Sequence, residues 1–228
     1  MDNLEKQGDK LFKSGKKELK TGLFKWKPDY DAAVSKFEEA TKFFKNAQKW
    51  EKALESLEKQ VFCCKQTVDD WGVARGLESI VQIQCDHPEI IKDETKLNDQ
   101  AKEAAQYFKV SQSYTNLIKL YKLVSNFYIE TRHDRKKALD FAKQAYEDSL
   151  ESDQSYNVTE IIDFYIDLLC QNEMYVDAIK VYRQQTELLK NTDSKTPLEQ
   201  YALLSIGLCL VLNDSIQANK ELEYYICE

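Results

Sequence analysis

Apolar residues recur along this chain at three- and four-residue intervals, with polar residues between them. Ala33, Phe37, Ala40, Phe43 and Phe44 fall on one stripe at the i, i+4, i+7, i+10, i+11 spacing, the pattern of an amphipathic helix with one wet side. Leu4, Leu11, Phe12 and Leu19 mark a similar stripe and predict a first helix over Asp2–Lys20. Thr21–Pro28 breaks the pattern as a loop, and Asp29, directly after Pro28, is a natural N-cap for the second helix. Further stripes predict helices over Gln48–Gln66, Trp71–Cys85, from near Asp93, Tyr114–Glu130, Arg135–Leu150, Val158–Gln171 and Tyr175–Lys190. His87 and Pro88 mark a turn over Asp86–Lys92. Thr196-Pro197-Leu198-Glu199 combines a Thr cap, a Pro at the first helical position and a Glu three residues after the cap, which predicts a helix start there. A short helix from Asp214 closes the chain.

Within these stripes a repeat is visible. Ala33-x3-Phe37-x2-Ala40 recurs as Ala101-x3-Ala105-x2-Phe108, as Ala138-x3-Ala142-x2-Ala145 and, degenerately, as Ala178-x3-Tyr182-x2-Gln185. The later copies lie 37 and 40 residues apart, and the first gap spans about two such units. Small residues at this spacing let one helix approach its neighbour, and the aromatic partner fills the next gap. The expected fold is all-α: a tetratricopeptide-like right-handed solenoid of antiparallel helical hairpins, with residues 1–228 forming a single elongated domain. An ordinary amphipathic bundle with coincidental spacing is the alternative.

Composition narrows the function. Only 6 Gly and 3 Pro occur in 228 residues, too few turn formers for an all-β chain of this length. The net charge of −7 argues against a nucleic-acid binder, which would carry a basic surplus. No apolar run approaches the ~20 residues that span a bilayer, and Met1-Asp2-Asn3-Leu4-Glu5 has no apolar signal core. The expectation is a cytoplasmic protein. Cys63, Cys64, Cys85, Cys170, Cys209 and Cys227 form no C-x-x-C pair, and with two His there is no zinc-site spacing. These cysteines read as free thiols at small buried positions. Gly72, Gly76 and Gly207 are isolated in helical stretches rather than grouped in a phosphate loop, and neither G-x-S-x-G nor H-E-x-x-H occurs. Paired carboxylates such as Glu38-Glu39 and Asp69-Asp70 read as solvated helix faces, and His87 and His133 as surface residues. The chain reads as a non-enzyme that needs no cofactor or metal.

One segment does not fit a buried role. Thr21-Gly22-Leu23-Phe24-Lys25-Trp26-Lys27-Pro28 puts Leu23, Phe24 and Trp26 within four positions, flanked by Lys20, Lys25 and Lys27. Helical periodicity cannot bury all three between Gly22 and Pro28. Rings entering a headgroup zone with lysines against lipid phosphates would suit an anionic membrane surface, each Lys contributing ~1 kcal/mol. The other placement folds Phe24 and Trp26 back on the first hairpin as a plug.

The same segment carries a family resemblance. Leu19-Lys20-Thr21-Gly22-Leu23-Phe24-Lys25-Trp26-Lys27-Pro28-Asp29-Tyr30-Asp31-Ala32-Ala33, continuing through Phe44-Lys45-Asn46-Ala47-Gln48-Lys49, resembles the soluble N-ethylmaleimide-sensitive-factor attachment proteins (SNAPs), the gamma type most closely. Lys-Trp-Lys-Pro-Asp-Tyr is the specific part. The alpha type resembles the chain at Gly22-Leu23-Phe24 but has small residues next. Beyond Lys49 the resemblance is looser and rests on Ala-aromatic patterning from Ala104 to Tyr182.

That resemblance implies an adaptor in SNARE complex disassembly and vesicle-mediated transport, after membrane fusion. Such a protein binds the SNARE four-helix bundle, recruits a hexameric AAA ATPase (N-ethylmaleimide-sensitive factor) and catalyses nothing itself. It implies a peripheral membrane-attachment site at Leu23, Phe24 and Trp26 with Lys25 and Lys27, and a SNARE contact at Lys119, for which an ordinary solvated lysine is the alternative. A second basic family position falls near Ser149 or Leu150, where no Lys stands, so SNARE affinity or SNARE choice is expected to differ. Family members also run longer and end in a helical bundle with an acidic tail. That bundle is absent or truncated in a chain ending at Ile226-Cys227-Glu228, which reads as a fragment or a shortened paralogue; if the chain is complete, impaired ATPase stimulation is expected. The rival function is a generic tetratricopeptide-like scaffold for a peptide or helical partner. It would need a compact Lys, Arg and Asn cluster on inner helices, whereas the basic residues here are widely spread.

Overall fold

The predicted stripes become helices almost one for one. The computed structural model describes residues 2–22, 26–150, 158–190 and 195–226, with backbone alone described at 158–159, 188–190, 195–198 and 224–226. Eleven α-helices run through them: α1 (Asp2–Glu18), α2 (Tyr30–Asn46), α3 (Trp50–Thr67), α4 (Asp70–Asp86), α5 (Glu94–Val110), α6 (Tyr114–Phe127), α7 (Arg135–Leu150), α8 (Val158–Gln171), α9 (Tyr175–Lys190), α10 (Lys195–Val211) and α11 (Ser215–Ile226). No β-strand forms among the described residues. The fold is an all-α array of antiparallel helical hairpins. The chain divides into two compact units, Met1–Gln154 and Ser155–Glu228. The first holds α1–α7, each helix packed on its neighbour in sequence, and the second holds α8–α11 packed likewise.

The turns explain how the chain manages with so few glycines. Gln48, Val68, Gln112, His133, Glu173 and Asn213 all have φ between 54° and 60°. Each sits one or two residues past a helical segment, in the left-handed position that usually falls to glycine. The following residue closes the helix with its N–H and caps the next helix with its C=O. Thus Asp69 N–H donates to Cys64 O at 3.0 Å while Asp69 O accepts from Val73 N–H at 2.9 Å. Lys49, Ser113, Met174 and Asp214 repeat the arrangement. Asp69 also accepts from Gly72 N–H through its carboxylate at 2.9 Å, and Asp29 from Ala32 N–H at 3.0 Å, as an N-cap requires. One ending differs: after Phe127 the backbone widens into a π-turn over Tyr128–Arg132. α6 therefore stops short of Glu130, and Asp134 N–H donates to Tyr128 O at 2.9 Å. α10 begins at Lys195, one residue before the expected Thr196 cap, whose side chain lies outside the described residues.

Packing follows the repeat. All twelve residues of the four copies, from Ala33-Phe37-Ala40 to Ala178-Tyr182-Gln185, are buried. Within the wide first gap, Ala53, Leu57 and Gln60 of α3 share the spacing of the copies and are also buried. α1 contributes the smallest residues of all. A Cβ at Gly8 would stand 2.7 Å from Phe44 Cε1, and one at Gly15 2.8 Å from Phe37 Cε1, so both glycines let α1 lie directly on the rings of α2. Two buried hydroxyls tie helices together: Ser56 Oγ donates to Phe37 O at 2.9 Å and Ser125 Oγ to Ala138 O at 2.7 Å.

Candidate functional site

Of the loop between α1 and α2, Leu23, Phe24 and Lys25 lie outside the described residues. Trp26 and Lys27 are described, and both point to solvent, Trp26 with 89% of its surface exposed. The indole is thus not a plug in the first hairpin. The ends of the loop are joined by Asp29 N–H donating to Glu18 O at 3.0 Å, which closes its base.

Lys119 stands exposed on α6, which packs beside α4 among the even-numbered helices of the first unit. It faces Glu78 of α4, whose carboxyl is raised by burial against the pull of Arg75 and Lys119. Lys45 of α2, lowered by burial, faces Asp86 of α4.

The odd-numbered helices of the first unit form a layer held by ion pairs between residues about one repeat apart. Lys16 meets Glu55 at 3.2 Å and Lys52 meets Asp9 at 2.7 Å, joining α1 to α3. Lys96–Glu58 at 2.6 Å and Lys65–Glu103 at 2.5 Å join α3 to α5. Lys109–Asp148 at 2.5 Å and Lys137–Glu94 at 3.4 Å join α5 to α7. Arg132 of the π-turn reaches Glu94 at 2.5 Å. Most of these pairs are half exposed and contribute little singly, but they place a carboxylate beside lysines that sequence alone presents as available cations. Between α5 and α7 a cavity of 220 Å³ opens over Tyr121 and Phe141, with Asn98, Lys102 and Lys137 at its rim. Cavities of 200 Å³ recur between α3 and α5 and between α1 and α3. The same notch is therefore repeated at each junction, with mixed charge at every one. Sequence reading missed this layer because each pair joins residues some 38 to 43 positions apart. The repeat length was the only signal for it.

The thiols lie where small buried residues were expected. Cys63 packs with Ala33 and Phe37, and Cys64 turns instead towards Gly72 of α4. Burial pushes the Cys63 thiol up to about 11 and those of Cys64 and Cys85 up to about 12. His133 is exposed, but His87 is not the surface residue expected: it is half-buried, stacked on Trp50 with ring centroids 3.9 Å apart. Among the described residues no group of three or more His, Cys, Asp or Glu side chains could hold a metal, and no helix is long and apolar enough to cross a membrane.

Exposed loops, charged helix layers and shallow repeated notches define a helical-repeat interaction protein. The family model for "Soluble NSF attachment protein, SNAP" matches residues 5–227. The chain belongs to that family, one of non-enzymatic adaptors in SNARE- and NSF-related trafficking. Comparison with curated proteins finds no match. Among solved structures, BtubC (BKLC) from P. vanneervenii is 11% identical, with 97% of this chain and 89% of that one covered at a TM-score of 0.47. A de novo designed helical repeat protein, DHR64, is 14% identical, with 97% and 96% covered at a TM-score of 0.20. Likenesses this remote bear on neither function nor site.

Proposed function

We propose that this chain is a gamma-like attachment protein that binds the assembled SNARE four-helix bundle, holds it near a membrane through the α1–α2 loop and recruits the hexameric AAA ATPase. It acts in the cytoplasm as a peripheral membrane adaptor and catalyses nothing. The observation that carries this reading is Trp26, 89% exposed beside Lys27 on a loop closed at its base. An indole left in water by the fold has its apolar area available to an interface, and neighbouring lysines suit anionic headgroups. Leu23, Phe24 and Lys25 complete the proposed contact.

Lys119 is the proposed SNARE contact. Its position opposite Glu78 rather than in the ion-paired layer leaves it exposed, and a long acidic helix could draw it away from a partly buried carboxyl. The test of the loop is co-sedimentation with vesicles of phosphatidylcholine and phosphatidylserine, comparing the wild-type chain with a Leu23→Ser, Phe24→Ser, Trp26→Ser variant. Circular dichroism verifies that both stay helical. Loss of pelleting in the variant alone supports the loop as a membrane contact; equal pelleting of both, or of neither, rejects it.

A further inference from the structure

The exposed apolar residues of the first unit are not scattered. Among the described residues, Trp26, Phe62, Val68, Trp71, Val110 and Leu150 are its large apolar side chains with at least 36% of their surface exposed. In an antiparallel array the C-termini of odd helices and the N-termini of even helices share one edge. Trp26 lies in the α1–α2 loop, Val68 in the α3–α4 turn, Trp71 on the first turn of α4, and Val110 and Leu150 on the last residues of α5 and α7. Phe62 is in the last third of α3, its ring against Tyr30 at the start of α2. All six belong to this edge. The opposite edge, formed by the turns at Ala47–Lys49, His87–Asp93 and His133–Asp134, exposes no large apolar side chain among the described residues. Trp50, the large aromatic there, is half-buried under His87.

Val68 makes the asymmetry harder to dismiss. It has φ 58° and ψ 35°, a left-handed conformation that a β-branched residue adopts at a cost. Glycine or asparagine would serve the turn better. Its side chain is 80% exposed, so packing within the fold does not offset that cost. A strained backbone presenting an apolar group to solvent points to a use outside the fold.

The cavities at the helix junctions lie away from these tips. The three cavities described above are lined by residues such as Tyr121, Phe141 and Leu54 and include none of the six edge residues. A partner helix would need a continuous trough, whereas a lipid surface accepts separate tips at one level. Two of the nearby lysines are already paired within the fold, Lys65 with Glu103 and Lys109 with Asp148. The edge is also continuous with the loop that carries Trp26 and Lys27.

We propose that the whole edge, and not the loop alone, is the face that rests on the lipid surface, with Trp26, Val68, Trp71 and Val110 entering the headgroup zone. The proposal rests on the membrane reading of the loop and extends it. The loop supplies lysines and so a salt-sensitive attraction. The rest of the edge supplies apolar contact that salt does not screen.

The test uses the full chain and vesicles of phosphatidylcholine and phosphatidylserine. A Val68→Asn, Val110→Asn variant removes two edge side chains, and Asn at position 68 suits the left-handed turn, so unfolding is not the expected consequence. Vesicle partitioning should fall about tenfold, roughly threefold per valine, with helicity unchanged. The ratio of wild type to variant should persist as salt rises. In a Trp26→Phe, Trp50→Phe chain, where Trp71 is the remaining indole, emission should shift to the blue when vesicles are added. Partitioning of the edge variant equal to wild type, with no shift from Trp71, overturns the proposal. If the loop variant loses binding and the edge variant keeps it, the edge falls and the loop reading stands. If the edge variant loses binding and the loop variant keeps it, the edge stands and the loop reading falls. A wild-type chain that ignores vesicles rejects both.

Discussion

Gly15→Ala and Gly207→Ala are the same chemical change at two helical sites, and the structure gives them opposite signs. In a solvated helix interior, alanine is favoured over glycine by about 1 kcal/mol. Gly207 of α10 has nothing within 4 Å of where a Cβ would stand, so this gain should appear in full. At Gly15 the added Cβ would lie 2.8 Å from Phe37 Cε1, against an ordinary carbon contact of about 3.5–4.0 Å. The ring and helix must part by roughly 0.7 Å or more to restore that contact. Phe37 cannot yield cheaply: it is fully buried and packs on Phe12, with centroids 5.5 Å apart. Overpacking of this kind costs about 1–3 kcal/mol. Set against the propensity gain, Gly15→Ala should destabilise the α1–α2 hairpin by about 1 kcal/mol. Hydrogen exchange read by mass spectrometry separates the two units, which a global melt would not. Peptides from α1 should lose protection by about fivefold in Gly15→Ala, and peptides from α10 should gain about fivefold in Gly207→Ala. Equal gains at both sites would refute the close approach of α1 to α2.

Other expectations follow from single observations. Val68→Asn should raise the stability of the first unit by about 1 kcal/mol in urea denaturation, because the left-handed turn no longer holds a β-branched residue; a loss of stability would show that the valine packs within the fold. Arg183 pairs with Glu221, whose side chain is fully buried, so Arg183→Met should destabilise the second unit by roughly 2 kcal/mol. Unchanged hydrogen-exchange protection of α9 and α11 in that variant would contradict this. Cys63, Cys64 and Cys85 have thiols pushed up to about 11, 12 and 12 from an ordinary 9.0. They should resist alkylation at pH 8 until urea unfolds the chain. Their contribution to stability is full below about pH 9 and falls as pH rises towards 12, and fast alkylation of the native chain would count against it.

The helices were legible because their cause is local. Ala33-Phe37-Ala40 and its later copies report the buried face directly, and Asp29 announces the start of α2 through a hydrogen bond only three residues long. The turns were harder. Gln48, Val68, Gln112 and Glu173 take the left-handed position without glycine, so the usual punctuation is missing and helix ends slip by one to three residues. The like-spaced Ala53, Leu57 and Gln60 of α3 escaped notice because Leu57 is neither the small nor the aromatic residue that the other copies carry there. The π-turn at Tyr128–Arg132 has no local signature either; it coincides with Tyr128 OH donating to Asn98 Oδ1 at 2.8 Å and Arg132 reaching Glu94, both partners 30 or more residues away. Of the site, the loop was legible through composition, as three apolar residues among lysines with no helical face to bury them. Lys119 was legible through the family resemblance alone. The apolar edge was not legible, since Val68, Trp71 and Val110 look like ordinary core positions until the hairpins bring them to one side.

The central claim is that this chain recognises an assembled SNARE four-helix bundle. Pull-down of the full chain with a preassembled bundle, with its unassembled component strands, and with a free acidic tail peptide tests it most directly, at low and raised salt and with Lys119→Glu alongside. The account predicts binding to the assembled bundle only, weakened by salt and by the charge reversal at Lys119. Binding to the tail peptide, or equal capture of assembled and unassembled strands, would contradict it.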